Sequence, residues 1–399
     1  MIGKTKLAED IDGLGGTGGA WENGPVRTVI ASDLHLGAAS GADLLRSRPL
    51  RERLLETLGG ADRIVLLGDV VELRDRPLAE ALEAARPVFE DVAAANPDAE
   101  LVVVPGNHDH QLLDPWMALR RLDDGSEPLG LEQRIEPSEG AAAKLAGWAG
   151  RKRTTFAYPG LRLRDDVYAT HGHYLDCHLT LPTFERLGVG AIERLAGSPP
   201  NGGRTPDDYE RVQAPLYALL FVLAQSPRPA EAAGGKTPSI RVWEALGGAS
   251  GKARSLRGRL LGSAVIPGAV RVANRLGLGR FGSDLSLAEV GRAGVRAMAE
   301  AVERLGIDAE HVIFGHTHRR GPLPGEDHHG GDPQWSGGGA RLYNTGGWVY
   351  APAVIGLDGA RSAFWPGTVI ELVDAEPPRA LELLADLDER ELRDALRRA

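Results

Sequence analysis

The feature that most constrains this chain is a repeated pattern: apolar, β-branched runs that each stop at chemistry-bearing residues beside a glycine. The first is Val29-Ile30-Ala31-Ser32-Asp33-Leu34-His35-Leu36-Gly37. The run reads as a buried strand, and alternate residues of a strand share a face, so Asp33 and His35 project together. One Asp-x-His pair means little, but the arrangement recurs. Residues 63–67 end in Gly68-Asp69-Val70-Val71-Glu72, and 101–104 end in Pro105-Gly106-Asn107-His108-Asp109-His110. Residues 161–170, read as one strand, end in His171-Gly172-His173, and 311–314 end in Gly315-His316-Thr317-His318. Helical spacing follows the first two strands, over 41–58 and 77–95. Strand–loop–helix units in succession predict an α/β core with its site at the strands' carboxyl ends. Tight turns account for the glycines but not for an Asp, His or Asn beside each one.

The candidate site residues are Asp33, His35, Asp69, Asn107, His171, His316 and His318. Seven mixed nitrogen and oxygen donors are too many for one ion and suit two. Hard oxygen with imidazole and no thiolate points to Mn, Fe or Zn. Two such ions clamp the attacking and leaving oxygens of an in-line displacement. The chemistry that suits them is hydrolysis of a phosphate ester.

The motifs D-L-H, G-D, G-N-H-D, H-G-H and G-H-T-H, in that order, resemble the calcineurin-like metallophosphoesterase superfamily over residues 26–178 and 305–373. The resemblance implies an α/β fold in which a β-sandwich, flanked by helices, holds a dinuclear centre. It implies one metal on Asp33, His35 and His318, another on Asn107, His171 and His316, and Asp69 as the bridge. His108 would stay outside the ligand set and protonate the leaving oxygen, with Asp109 orienting its ring. A metal-bridging hydroxide would attack phosphorus directly, without a phospho-enzyme. D-L-H-L and G-D-V-V-E also resemble the UDP-2,3-diacylglucosamine pyrophosphohydrolases, which act at the membrane surface. The chain departs from them at His108, where they commonly have arginine, at His173, where they have aspartate, and in its greater length.

The chain divides into a Gly-rich tail (1–25), a core (26–178 and 305–376), a mostly helical insertion or cap (179–304) and a C-terminal helix (377–399). Within the insertion, 182–195 and 209–225 read as helices. The nine apolar residues 216–224 are too few to span a bilayer and suit a buried cap helix. Lys252, Arg254, Arg257, Arg259, Arg271, Arg275 and Arg280 form a stretch without acids in a chain of net charge −9. Such a stretch suits an anionic membrane, a funnel for a phosphate-bearing small-molecule or lipid substrate, or a solvated face. Arg254 and Arg257, together with His110 and His173 in the ligand motifs, are candidate substrate contacts. Overall acidity argues against nucleic acid as partner. A nuclease or cyclic-nucleotide-type phosphodiesterase is the alternative activity, and a silent scaffold fits poorly with all seven donors present.

The single cysteine, Cys177, permits no internal disulfide and fits a reducing compartment. Its position near the site suits packing better than nucleophilic attack. No apolar segment of a secretory leader follows Lys4 and Lys6, and no run approaches the roughly 18 residues of a spanning helix. The expectation is a cytoplasmic protein, peripheral on the inner membrane face if the basic stretch contacts lipid.

Overall fold

In β1 (Arg27–Ala31), Val29 and Ala31 pack with one group of side chains and Ile30 with another, so both faces of the strand are buried. The same holds for β2 (Arg63–Leu67) and β3 (Glu100–Val104), which are continuous apolar runs because neither face meets water. A computed structural model describes residues 26–122, 127–197, 204–225, 266–282, 284, 286–326, 335–356 and 358–399. The tail 1–25 and Lys252, Arg254, Arg257 and Arg259 lie outside the described residues.

β1, β2 and β3 pair in parallel, with Ile30 opposite Val65 and Val65 opposite Val102. On the outer side of β1, β11 (Thr368–Val373) and then β12 (Arg379–Glu382) add antiparallel. β5 (Thr154–Arg164) joins two halves of the network. Its first residues pair with β3 and with β4 (Glu132–Ile135), and its last ones pair antiparallel with β6 (Val167–Thr170). From β6 the order continues through β7 (His311–Phe314) and β10 (Ala340–Thr345) to β8 (Arg320–Gly321), while β9 (Ser336–Gly337) also pairs with β10. Residues 161–170 are therefore the end of one strand and the whole of the next, joined by a hairpin, rather than one strand.

The two halves face each other across Ile30, Val65, Val102 and Ile370 from one and Leu161, Val167, Ala169 and Ile313 from the other. Each fully buried Val, Leu or Ile among these contributes roughly 1.5–3 kcal/mol. The outer face of the first half is covered by helices Arg48–Leu58, Leu78–Ala95 and Gly140–Ala149. The outer face of the second is covered by Leu287–Leu305, through Ala293, Ala297, Met298 and Val302 against Val312, Phe314 and Leu342. This is a mixed-sheet α/β sandwich between helical layers. It also places most of helix 287–305 in the core, although its sequence position is inside the insertion. The C-terminal segment is helical only over Glu389–Arg397, because β12 precedes it.

The described part of the cap is built on helices Phe184–Ala196 and Pro206–Ala224. Both start at threonine caps, Thr183 and Thr205, the latter in a capping box with Asp208. The apolar run in the second helix buries Leu216, Tyr217 and Leu220, whereas Leu219, Val222 and Leu223 are exposed. Only one face of that helix is therefore buried. Among the described residues no helix is long and apolar enough to cross a membrane.

Candidate metal centre

The loops that leave β1, β2 and β3 stay stitched together after the strands end. Asp33 N–H donates to Gly68 O (3.0 Å), His35 N–H to Asp69 O (2.8 Å) and Leu36 N–H to Val70 O (2.9 Å). Asp33, His35, Asp69, His316 and His318 all have φ between 45° and 67°. For non-glycine residues this left-handed region costs roughly 1–2 kcal/mol each, and such strain persists only where the surroundings enforce it. Here it turns the side chains of successive loops into one cluster. Gly106 is equally constrained: a Cβ there would collide with Asp69 Oδ1 and the His171 ring.

Each carboxylate divides its two oxygens between loop and cluster. Asp69 Oδ1 accepts from His108 N–H (2.8 Å), and its Oδ2 lies 3.3 Å from His171 Nε2 and 3.7 Å from His35 Nε2. Asp33 Oδ2 accepts from His316 N–H (3.0 Å) and from Ser32 Oγ, leaving Oδ1 3.2 Å from His318 Nε2.

The imidazoles are oriented in the same way, by the nitrogen that points outward. His35 Nδ1 donates to Glu72 Oε2 (2.9 Å), His171 Nδ1 to Leu67 O (3.0 Å) and His316 Nε2 to Asp176 Oδ1 (3.0 Å). Each ring thereby turns its other nitrogen into the cluster, the arrangement usual for a metal-ligating histidine. His35 Nε2 and His318 Nε2 stand 3.1 Å apart. The Asn107 amide lies 3.0 Å from His316 Nδ1, 3.2 Å from His171 Nε2 and 3.3 Å from Asp69 Oδ2. With Nδ2 inward the amide donates to these atoms and its oxygen accepts from Arg74 Nη1 (2.6 Å). With Oδ1 inward, the amide oxygen lies 3.2 Å from His171 Nε2, and it joins the nitrogen and carboxylate donors that could hold a cation.

Among the described residues four groups of donors are close enough to hold an ion: Asp33–His35–His318, His35–Asp69–His108, Asp69–His171–His316 and Asp166–Glu310–His311. The first three adjoin one another, and Asp69 belongs to two of them. Burial opposes protonation of His35, but the Glu72 hydrogen bond and the charges of Asp69, Glu72 and Asp33 raise it to about 9. Burial likewise opposes protonation of His171, yet Asp69 and Asp33 bring it to about 10. This is the field of a site with surplus negative charge.

The structure corrects one assignment. The partner of the His108 ring is Glu72, whose Oε2 accepts from His108 Nδ1 at 2.6 Å. Asp109 does not orient that ring. It accepts from the N–H groups of Gly106 (2.6 Å), Val70 (2.7 Å) and Val71 (3.3 Å), and so clamps the second loop to the third. Burial alone would raise the Glu72 carboxyl, but His108 and His35 overcome this and hold it far below its ordinary range. Burial pulls the His108 ring downward, against the attraction of Glu72.

His110 and His173 are enclosed rather than turned to the open side, where His108 and His318 are the more exposed rings. Glu210 of the cap helix accepts from His110 Nε2 (2.8 Å), Tyr174 OH (2.7 Å) and Tyr158 OH, while His173 Nε2 lies 3.2 Å from Tyr158 OH. Cys177 is buried among Tyr174, Val189 and Val212, and burial pushes its thiol up, which suits packing. Sequence reasoning missed Glu72, Arg74, Asp176 and Glu210 as neighbours of the site. Glu72 carried a signal, three residues after Asp69 in a run that still belongs to the loop. Asp176 and Glu210 carried none, since only folding brings them near His316 and His110.

A helix-flanked sandwich with oxygen and imidazole donors gathered at its strand ends is an arrangement that could hold metal ions. In agreement, the calcineurin-like phosphoesterase family model matches residues 26–208, and the chain carries a domain of that family. Family members are phosphoester hydrolases, and this protein is an enzyme of that kind. The match includes Asp33, His35, Asp69, Asn107 and His171, whereas His316 and His318 arrive from beyond it. No curated protein matches the chain.

Proposed function

We propose that the protein is a dinuclear-metal hydrolase of phosphoester or pyrophosphate bonds in small or lipid-linked molecules. The observation that carries the reading is the position of Asp69 Oδ2 between His35 Nε2 (3.7 Å) and His171 Nε2 (3.3 Å), one oxygen facing a histidine from each of two donor groups. Asp33, His35 and His318 would hold one ion, Asn107, His171 and His316 the other, and Asp69 both. Ions of the Mn, Fe or Zn type supply Lewis acidity toward a phosphoryl oxygen and lower the pKa of the attacking water. The chain's own residues then position and protonate. His108, fixed through Nδ1 by Glu72, presents Nε2 and as the imidazolium would deliver a proton from it to the leaving oxygen. Arg74, beside the Asn107 amide and 3.4 Å from Glu185 of the cap, places a guanidinium where substrate negative charge would gather.

The cap favours a small substrate over a polymer, because its helices supply Glu185 and Glu210 to residues adjoining the metal donors. We further propose that the basic stretch 252–280 contacts an anionic surface. Its described part sets Arg271 and Arg275 beside the exposed Val272 and Leu276.

The test is a screen of aryl phosphate mono- and diesters, nucleotides, sugar phosphates and phospholipids with Mn, Fe and Zn compared. Hydrolysis should require metal and should collapse in Asp69→Asn, more than in His35→Ala. Full turnover in Asp69→Asn with two ions still bound would remove the reading.

A further inference from the structure

A polar cavity of ≈ 670 Å³ lies between the segment around His178, the cap helix Phe184–Ala196, residues 274–280 and helix Leu287–Leu305. None of the seven metal-donor candidates lines it. Its size is within the range of about 300–1,000 Å³ usual for small-molecule sites. Arg186, Arg280 and Arg296 line it, with Glu300 as the one acid.

Arg186 is the telling residue. It is only 8 % exposed, yet its Nε and Nη1 have no hydrogen-bond partner. Its guanidinium carbon lies 5.8 Å from the centroid of the Phe281 ring, a cation–π contact that supplies no oxygen acceptor to those nitrogens. The nearest carboxylate, Glu193, is 3.6 Å from Nη1 and is shared with Arg204, which it meets at 2.6 Å. Glu289 is likewise shared, between Arg292 and Arg296, and Glu300 is paired with Arg304. Arg280 has no ion-pair partner among the described residues. The cavity is thus positive, and the effect reaches His178: burial and then the charges of Arg204, Arg304 and Arg186 push its ring down to about 3. A buried guanidinium with unused donors costs free energy that an anionic acceptor would recover, and its fork matches phosphate oxygens. Leu179, Ala293 and Ala297 provide apolar wall for an organic remainder.

We propose that this cavity binds a small phosphate-bearing molecule at a site separate from the metal centre, with Arg186 as its principal anchor and Arg280 at its rim. The proposal rests on the cavity alone and does not require the hydrolase reading. It is tested by titrating inorganic phosphate, and then glucose 6-phosphate, into full-length Asp69→Asn protein by calorimetry, so that binding at the metal centre is impaired. The expected result is one saturable site, weakened about tenfold or more by Arg186→Gln in the same background, as for loss of a charge-assisted hydrogen bond. Arg280→Gln, an exposed change that leaves the fold intact, should weaken it several-fold, and the sugar phosphate should bind more tightly than phosphate. Absence of saturable binding in Asp69→Asn would overturn the proposal. So would undiminished binding in Arg280→Gln, even if Arg186→Gln fails to fold.

Discussion

Glu72 and His108 are joined by a 2.6 Å hydrogen bond, and the same Glu72 oxygen holds His35 at 2.9 Å. One buried carboxylate therefore fixes both a candidate metal donor and the candidate proton donor. Changes at Glu72 should then affect two properties together. Glu72→Gln is expected to weaken metal binding about 10–100-fold, the usual effect of losing a carboxylate behind a ligating histidine, and to slow turnover even at saturating metal. Metal content and turnover measured on the same preparation check this. A variant with normal metal affinity and normal rate would detach Glu72 from the site.

His108→Ala separates proton donation from metal binding. Metal content should be unchanged, because Glu72 occupies Nδ1 of the ring and the seven other donors suffice for two ions, although His108 itself lies within ligand reach of His35 and Asp69. Turnover should fall about 10²–10⁴-fold. The loss should shrink for aryl phosphates with acidic leaving groups, which need little protonation, and an equal loss across leaving groups would contradict the role.

Metal loading should release protons. His35 and His171, raised from 6.5 to about 9 and about 10, are protonated in the metal-free protein at pH 7.5 and must be neutral to ligate. Calorimetric titration with Zn or Mn in two buffers of different ionisation enthalpy should show release of about two protons per protein. Identical heats in both buffers would refute it. The sign for stability follows from the same shifts. Folded-state values above the unfolded ones contribute stability that is complete below about pH 6.5 and is lost as pH rises through 9–10. The metal-free protein should therefore show a falling melting temperature over that alkaline range, and the metal-loaded protein a smaller fall.

Contact with an anionic surface is checked by sedimentation with vesicles containing phosphatidylserine. Arg271→Gln with Arg275→Gln should reduce binding at low salt, each arginine near the surface being worth about 1 kcal/mol. Hydrolysis of a small aryl phosphate should be unchanged. A wild-type protein that ignores such vesicles at low salt would leave the stretch as a solvated face.

What the sequence determined by itself is local. Runs such as Val29–Ala31 and 101–104, each ending in polar residues, are legible because strand burial and strand termination are written in consecutive residues. The seven candidate donors, their residue types and their order along the chain are legible for the same reason. The tertiary structure decided which partners orient them. Asp109 is adjacent to His108 in sequence, but the left-handed turn at Asp69 carries the second loop under the third, so that Glu72 reaches the His108 ring and Asp109 reaches backbone N–H groups. Residues 161–170 likewise read as one strand, because the hairpin at 165–166 is marked only by charge and not by glycine or proline. Glu185 and Glu210 gain their neighbours only when the cap helices pack on the core, and Asp176 meets His316 only when distant parts of the core close on each other. Hydrogen bonds between residues 36 and 140 positions apart, such as Glu72–His108 and Asp176–His316, leave no periodic trace in a chain, and only folding brings their partners within 3 Å.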